Sequence, residues 1–358
     1  LAPEQTQSKT PVAEPEVGGG STLAGSFGRV VRWEVALAIA VAAVFILGGL
    51  SSSNFLSTYD LFTTCTNLGD VAIMALPMTL IIMTGEIDLS VASVLALGGE
   101  TLGYLTLHHW PLALIFLVVI AVGLVAGAIN GLLVTVVGLP SLAVTIGTLT
   151  LYRGIANVIL GANTVSGFPS PFNTLGVEAV PGIPFLSYSV LIFLGLAVIV
   201  GVVLHMTPLG RALHAIGLNK EAARHAGFNV QRVKLYLFIF SGMVCALVGM
   251  LYAFELNSAA EGIGMGFELK VITIVLLGGV SIFGGRGTIV GVVLAGFLFA
   301  GLESFVLVTT SLNEDDFQVV TGALLILSVL VPNGRAFAQR GRELVRRQRA
   351  RTALRQSG

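Results

Sequence analysis

Apolar residues in this chain do not alternate with polar ones over most of its length; they run in unbroken blocks. Blocks of about 20 residues, the length an α-helix needs to cross a hydrocarbon core, recur from residue 33 onward. Ten spans are predicted, over 33–50, 66–83, 89–107, 111–137, 141–160, 186–205, 235–256, 268–283, 288–309 and 317–331. A short polar break interrupts the long apolar regions 66–107 and 268–309. If some of those breaks are re-entrant, the count falls to eight. The pattern predicts an all-α integral membrane protein of about ten transmembrane helices, with two related halves of five as one possible plan.

Composition agrees with lipid as the solvent. The hydrophobic fraction is 55%, the charged fraction 11% and the mean hydropathy +0.92, against roughly 25% charged residues in soluble domains. Three regions follow: a disordered cytoplasmic tail over 1–28, rich in Pro, Glu, Gly, Ser and Thr; a transmembrane domain over 29–333; and a basic cytoplasmic tail over 334–358. Cys65 and Cys245 both lie in apolar runs and have no zinc or redox spacing.

The placement of charge orients the chain. With the N-terminus in the cytoplasm, the outer segments 51–65, 108–110, 161–185, 257–267 and 310–316 contain no Lys or Arg. The inner segments hold Arg29, Arg32, the basic group between 206 and 234, Arg286, and a C-terminal tail with eight Arg against one Glu. This bias puts both termini inside. Arg153 and Lys270 fall within predicted spans; Lys270 is near enough to an end to snorkel, and Arg153 needs a partner.

The longest inner connection, 206–234, reads as two short helices. In the first, Thr207 is the N-cap, Pro208 takes the first position and Gly217 stops the helix. Leu209, Ala212, Leu213 and Ile216 form its apolar face. The second opens at Asn219 and closes at Gly227, with Glu221 in its first turn and Arg224 and His225 in its last, each complementing the helix dipole. Ala222, Ala223 and Ala226 keep its middle small, so another protein's backbone can approach closely. Here "EAARHAG", Glu221 to Gly227, resembles the E-A-A-x-x-x-G loop of ABC importer permeases. The resemblance implies a coupling helix, carried by Asn219, Glu221, Ala222, Ala223, Arg224 and Gly227, that docks on a separate ATPase subunit.

The two polar breaks hold the remaining candidates. In "TGEIDLSVAS", Asp88 reads as the N-cap of the third span, while Glu86, after Gly85, has no capping role. An acid at the bilayer centre costs about 2.5–3.5 kcal/mol, so neither is expected to face lipid. The second break, "GGVSIFGGRGTIVG", offers Gly284, Gly285 and Arg286, and a pair between Glu86 or Asp88 and Arg286 would neutralise charge at the seam. It is not a phosphate loop, because no Lys-Ser/Thr follows. "GEIDLSVASVLAL", which includes Ser90, and "GGVSIFGGRGTIVGVVLAG" look like the paired signatures of permeases that import ribose, xylose, galactose, rhamnose or autoinducer-2, although Glu86 and Ala92 stand where the usual form has Gly.

That resemblance implies a bacterial inner-membrane subunit without enzymatic activity or a bound cofactor. ATP and Mg would bind the partner ATPase. Further partners would be a second permease copy or paralogue, an extracytoplasmic solute-binding protein and the bilayer, with no nucleic acid. The alternative is a proton- or sodium-coupled transporter using Glu86, Asp88, Asp70 and Glu303. No cluster of aromatic and paired polar residues announcing a sugar site is visible in the sequence.

Overall fold

The computed structural model describes residues 21–168, 172–310, 312–313 and 316–330. Its helices are α1 Ser21–Ser51, α2 Thr58–Met83, α3 Val91–Leu107, α4 Leu112–Thr135, α5 Ser141–Leu160, α6 Phe172–Val177 and α7 Tyr188–Met206. They continue with α8 Pro208–Leu218, α9 Lys220–His225, α10 Val230–Glu255, α11 Phe267–Leu277, α12 Ile289–Thr309 and α13 Asp316–Leu330. Two short strands, β1 Val165–Ser166 and β2 Ser258–Ala259, pair antiparallel. Seven of the helices are long and apolar enough to cross a membrane, and α3 and α13 are shorter apolar helices. The protein is an all-α, multi-pass membrane protein.

Each of the ten predicted spans holds one helix, but two boundaries differ in informative ways. Helix α1 starts at Ser21, eight residues inside the expected tail, because a helix nucleated by an apolar span propagates cheaply through small residues. Residues 1–20 and the basic tail beyond 330 lie outside the described residues. Helix α11 stops at Leu277 after 11 residues. At 1.5 Å per residue that is about 16 Å, half of a hydrocarbon core, and Gly278 and Gly279 then turn the chain into the second break.

The breaks fall after the second and the eighth of the ten apolar helices, so a division into equal fives does not superimpose them. The order of elements instead matches α1–α4 with α10–α13. Contacts support this match: α1 packs on α12, and α10 packs on α3, the exchange expected of two parallel repeats.

Glycine sets the closeness of packing around α10. A Cβ at Gly98 of α3 would lie 2.1 Å from Ala246 O, and one at Gly127 of α4 would lie 2.3 Å from Phe238 O. These helices touch backbone to backbone, which is how membrane helices gain attraction without a hydrophobic driving force between them.

Side-chain bonds fix the two ends of the bundle. At one end, Trp33 Nε1 donates to Leu277 O at 3.0 Å and Thr288 Oγ1 donates to Glu34 Oε1 at 2.6 Å. At the other, Ser304 Oγ donates to Asp60 at 2.9 Å, and β1 and β2 join the segments 161–185 and 257–267.

Candidate functional site

Three segments from distant parts of the chain converge at one point: the end of α2, the loop before α12 and the hairpin of α8 and α9. Gly285 N donates to Met83 O at 2.9 Å, joining the two breaks directly. Gly217 of α8 fits against this bond. A Cβ there would lie 2.0 Å from Met83 O and 2.1 Å from Gly285 N, and all three are backbone positions that cannot rotate away. Gly284 and Gly285 both have positive φ, 82° and 73°, which lets the second break fold back tightly enough to reach α2. Ser281 N to Arg286 O at 2.9 Å closes that loop.

This seat explains why the first inner helix does not stop at Gly217. It runs on to Leu218, with Asn219 as its C-cap, because Gly217 serves close approach rather than termination. Thr207 occupies the N-cap position without a capping bond; its hydroxyl donates back to Val203 O at 2.6 Å. Ala212, Leu213 and Ile216 are buried as expected, whereas Leu209 is exposed. Gly210 takes the inner position instead: a Cβ there would meet Leu204 O at 1.8 Å.

The second short helix has the predicted cap, but Ala223 is not on the face expected to meet a partner, because it packs into the hairpin. Asn219 Oδ1 accepts from Glu221 N and Ala222 N, both at 3.0 Å. Gly227 has φ 91°, and its α-carbon faces open space. Ala223 is buried with Ala212, Ile216 and Val230 in a small core of the hairpin's own. Burial of Ile216 and Val230 contributes roughly 1.5–3 kcal/mol each. Ala222 and Ala226 face outward, and Arg224 Nη1 lies 3.2 Å from Glu221 Oε2 on the exposed surface.

The charges of the breaks pair differently from expectation. Glu86 does not meet Arg286. It accepts from Lys234 Nζ in the second turn of α10, while Arg286 is exposed and makes no ion pair among the described residues. Arg286 sits at the loop's outer edge because its carbonyl, not its side chain, closes the turn. Asp88 is buried but is not the N-cap of α3: Ser90 holds that position and no side chain caps the helix, while Asp88 braces the turn before it. Helix α3 begins at Val91 after Ser90, and Asp88 Oδ1 accepts from Ser90 N at 3.0 Å and Ser90 Oγ at 2.6 Å.

With this junction described, the comparisons have a frame. The family model described as "Branched-chain amino acid transport system / permease component" matches residues 61–329. The chain belongs to this permease family. Similar curated proteins include the "Autoinducer 2 import system permease protein LsrC" of Yersinia pseudotuberculosis serotype O:1b (strain IP 31758), 32% identical over 298 residues, 83% of each chain. The protein of the same name from Yersinia pestis (strain Pestoides F) is also 32% identical over 83% of each chain. That of Yersinia enterocolitica serotype O:8 / biotype 1B is 31% identical over 297 residues, 83% of this chain and 81% of the relative. No solved structure matches. The permease is therefore a multi-pass inner-membrane transport subunit of the importer class that the sequence motifs resembled.

Sequence reasoning missed Tyr152, Ser141 and Thr145, which the permease brings to the first break. Asn130 Nδ2 donates to Ser90 Oγ at 2.8 Å, and Tyr152 OH donates to Asn130 Oδ1 at 3.2 Å and Ala126 O at 3.0 Å. These bonds tie α3, α4 and α5 together through a buried network headed by Asp88. Ser141 and Thr145 at the start of α5 bond to the backbone of Ile87. Arg153 finds carbonyls rather than a carboxylate: Ile263 O at 2.6 Å and Ala92 O at 3.1 Å. Lys270 does not snorkel but donates to Glu303 Oε1 at 2.7 Å. A lone polar residue within an apolar run was the available signal for each; the partner was not.

Proposed function

We propose that the permease moves a monosaccharide or related small polar solute inward, powered by ATP hydrolysis on a separate ABC ATPase subunit that seats on residues 219–227. ATP and Mg belong to that partner, and this chain binds no cofactor. A second permease copy or paralogue completes the pore, and a solute-binding protein delivers cargo to the segments 161–185 and 257–267, which β1 and β2 join.

The observation that carries this reading is the seat of Gly217. A capped rod with a small exposed face is wedged by its neighbour against the contact of both breaks. A push on Ala222 and Ala226 has a rigid route through Gly217 to Met83 and Gly285, and so to α2, α3 and α12. The names of the curated relatives, aligned over 83% of this chain, favour a polar solute over the branched-chain amino acids of the family description. The rival, ion-coupled reading is not favoured. Glu86 and Asp88 lie at the junction of the breaks, whereas Asp70 lies midway along α2, about 20 Å of helix from Met83, and Glu303 is paired with Lys270, so the four make no continuous relay.

The test is uptake by vesicles containing the complete importer. Accumulation should require ATP on the ATPase side. A Glu221→Ala/Gly227→Ala variant should assemble, hydrolyse ATP and fail to accumulate solute. Accumulation by the permease alone on an ion gradient, or normal uptake by the double variant, would remove the reading.

A further inference from the structure

At the end of the bundle away from the inner junction, α2, α10, α11 and α12 enclose a cavity of about 220 Å³ lined by Thr66, Asn67, Asp70, Tyr252, Glu255, Phe267, Lys270 and Glu303 among others. It is smaller than the roughly 300–1,000 Å³ of drug-sized sites. Asp70 is 1% exposed, and no N–H or O–H of another side chain or of the backbone donates to its carboxyl. Glu255 stands beside it, accepts from Ser189 Oγ through Oε1, and is close enough for the two carboxyls to share a proton. A shared proton satisfies one oxygen of each at most; the remaining buried acceptors are costly without donors, so a donor-rich occupant is the natural complement. The rings of Tyr252 and Phe267 meet at 5.1 Å between centroids and form an apolar wall. Lys270 and Glu303 form a charged pair on the same side, with the Lys270 ammonium over the Phe267 ring, 5.5 Å from its centroid.

We propose that this cavity is a binding site for a small polyhydroxylated solute, with Asp70 and Glu255 accepting its hydroxyls and Tyr252, held against Phe267, covering its C–H face. Carboxylates accept from two hydroxyls each, and an aromatic face, negative at its centre, attracts polarised C–H bonds. A divalent cation is the poorer fit: among the described residues no three His, Cys, Asp or Glu side chains gather closely enough to hold one, and the Lys270 ammonium already lies in the wall. A second hollow of about 300 Å³, formed by Ser258 to Met265, shares Tyr252, Leu256 and Phe267 with the first. The aromatic pair therefore stands between an outer vestibule and the inner cavity, where it meets a solute on its way in. The class of solute rests on the reading of this chain as a permease for polar cargo; the site itself is tested by protection from labelling rather than by uptake.

The experiment uses cells carrying the full importer, with Thr66→Cys in a Cys65→Ala background and a membrane-impermeant thiol reagent added outside. D-ribose, L-rhamnose, D-galactose and erythritol serve as probes, with cyclohexanol as the apolar control. Labelling should be slowed by a factor of 1 + [L]/Kd, about threefold at twice Kd, by at least one polyol and not by cyclohexanol. Tyr59→Cys, exposed at the start of α2, should label at an unchanged rate. Adding Asp70→Asn should keep the basal labelling rate, showing an intact fold, and abolish protection; Tyr252→Ala should weaken it. No labelling, no protection by any polyol, equal protection by cyclohexanol, or protection that survives Asp70→Asn would each overturn the site. ATP-driven uptake with protection lost sinks this assignment alone, whereas ATP-independent uptake with protection intact sinks only the importer reading.

Discussion

At its inner end, α2 meets Gly217 and Gly285 so closely that one added methyl at Gly217 would stand 2.0 Å from Met83 O; toward its other end, the same helix borders a cavity of about 220 Å³ lined by charges. The inner contact is backbone on backbone, with no side chain to absorb a displacement. The outer region has unpartnered carboxylate oxygens, an aromatic pair and room for a small molecule. A close-packed contact passes on a movement at nearly full amplitude, because packed interiors compress little. A polar cavity does the reverse: it deforms and admits. One helix joins a region suited to transmitting force to a region suited to holding a solute, and the contrast can be attacked by substitution.

The largest effect is expected at Gly217. Gly217→Ala adds the methyl for which there is no space, and overpacking of this kind costs about 1–3 kcal/mol. Uptake should fall more than tenfold even where assembled complex is recovered. Gly147→Ala is the control. It lies in α5, away from the hairpin, and open space surrounds that position, so near-normal uptake is expected there. Equal uptake by the two variants would show that the inner contact is not tight in the working protein.

The next effect distinguishes the two ends electrostatically. Lys234→Met leaves Glu86 without its cation at the inner junction, where both side chains are largely buried. Loss of one buried partner costs up to 3–5 kcal/mol, and residual exposure of 10% and 19% lowers the expected value to about 2 kcal/mol. Glu86→Gln in the same chain should restore most of it, as read by thermal unfolding in nanodiscs. Lys270→Met should cost at least as much, because the Glu303 side chain is 7% exposed against 19% for Glu86. A smaller loss at Lys270 than at Lys234 would mean that the cavity admits water to Glu303.

These two regions also differ in how far they could be read from the chain. The inner hairpin was legible because its determinants are local: Asn219 caps amides two and three residues away, and Gly227 ends the same two turns. The breaks were legible because polar residues stand out in apolar runs. The pairing of Glu86 was not, since Lys234 is 148 residues away and only packing selects it over Arg286. The outer cavity was least legible of all. Thr66 to Asp70, Tyr252 to Glu255, Phe267 to Lys270 and Glu303 come from four helices, so the aromatic and acidic residues absent as a cluster in sequence become one in space. The same logic gave Gly217 its misreading: a glycine near a helix end signals termination locally, and its role in close approach depends on two segments that only the fold brings near.

Smaller effects probe the rod itself. Asn219→Ala removes the acceptor for two amides and should cost about 1 kcal/mol of local stability, measured as faster amide exchange over 220–226 with the rest of the protein unchanged. Unaltered exchange would show that the rod is held by the bilayer domain rather than by its cap.

The smallest stability change carries the sharpest functional information. Glu221 and Arg224 are more than half exposed, with side-chain accessibilities of 56% and 55%, and an exposed i,i+3 pair contributes about 0.2–0.5 kcal/mol. Glu221→Ala should therefore leave unfolding almost unmoved. A residue that the fold does not need has one remaining physical route to affect transport, through contact with another molecule. If Glu221→Ala cuts uptake severalfold while unfolding shifts by less than about 0.5 kcal/mol, the loss arises at a contact with another molecule, as the proposed ATPase seat requires. If uptake is unchanged, that surface lies elsewhere on the hairpin, and the exposed methyls of Ala222 and Ala226 become the positions to enlarge. Ala222→Trp blocks close approach without touching the buried Ala223, so it separates a docking face from a merely solvated one by the same uptake measurement.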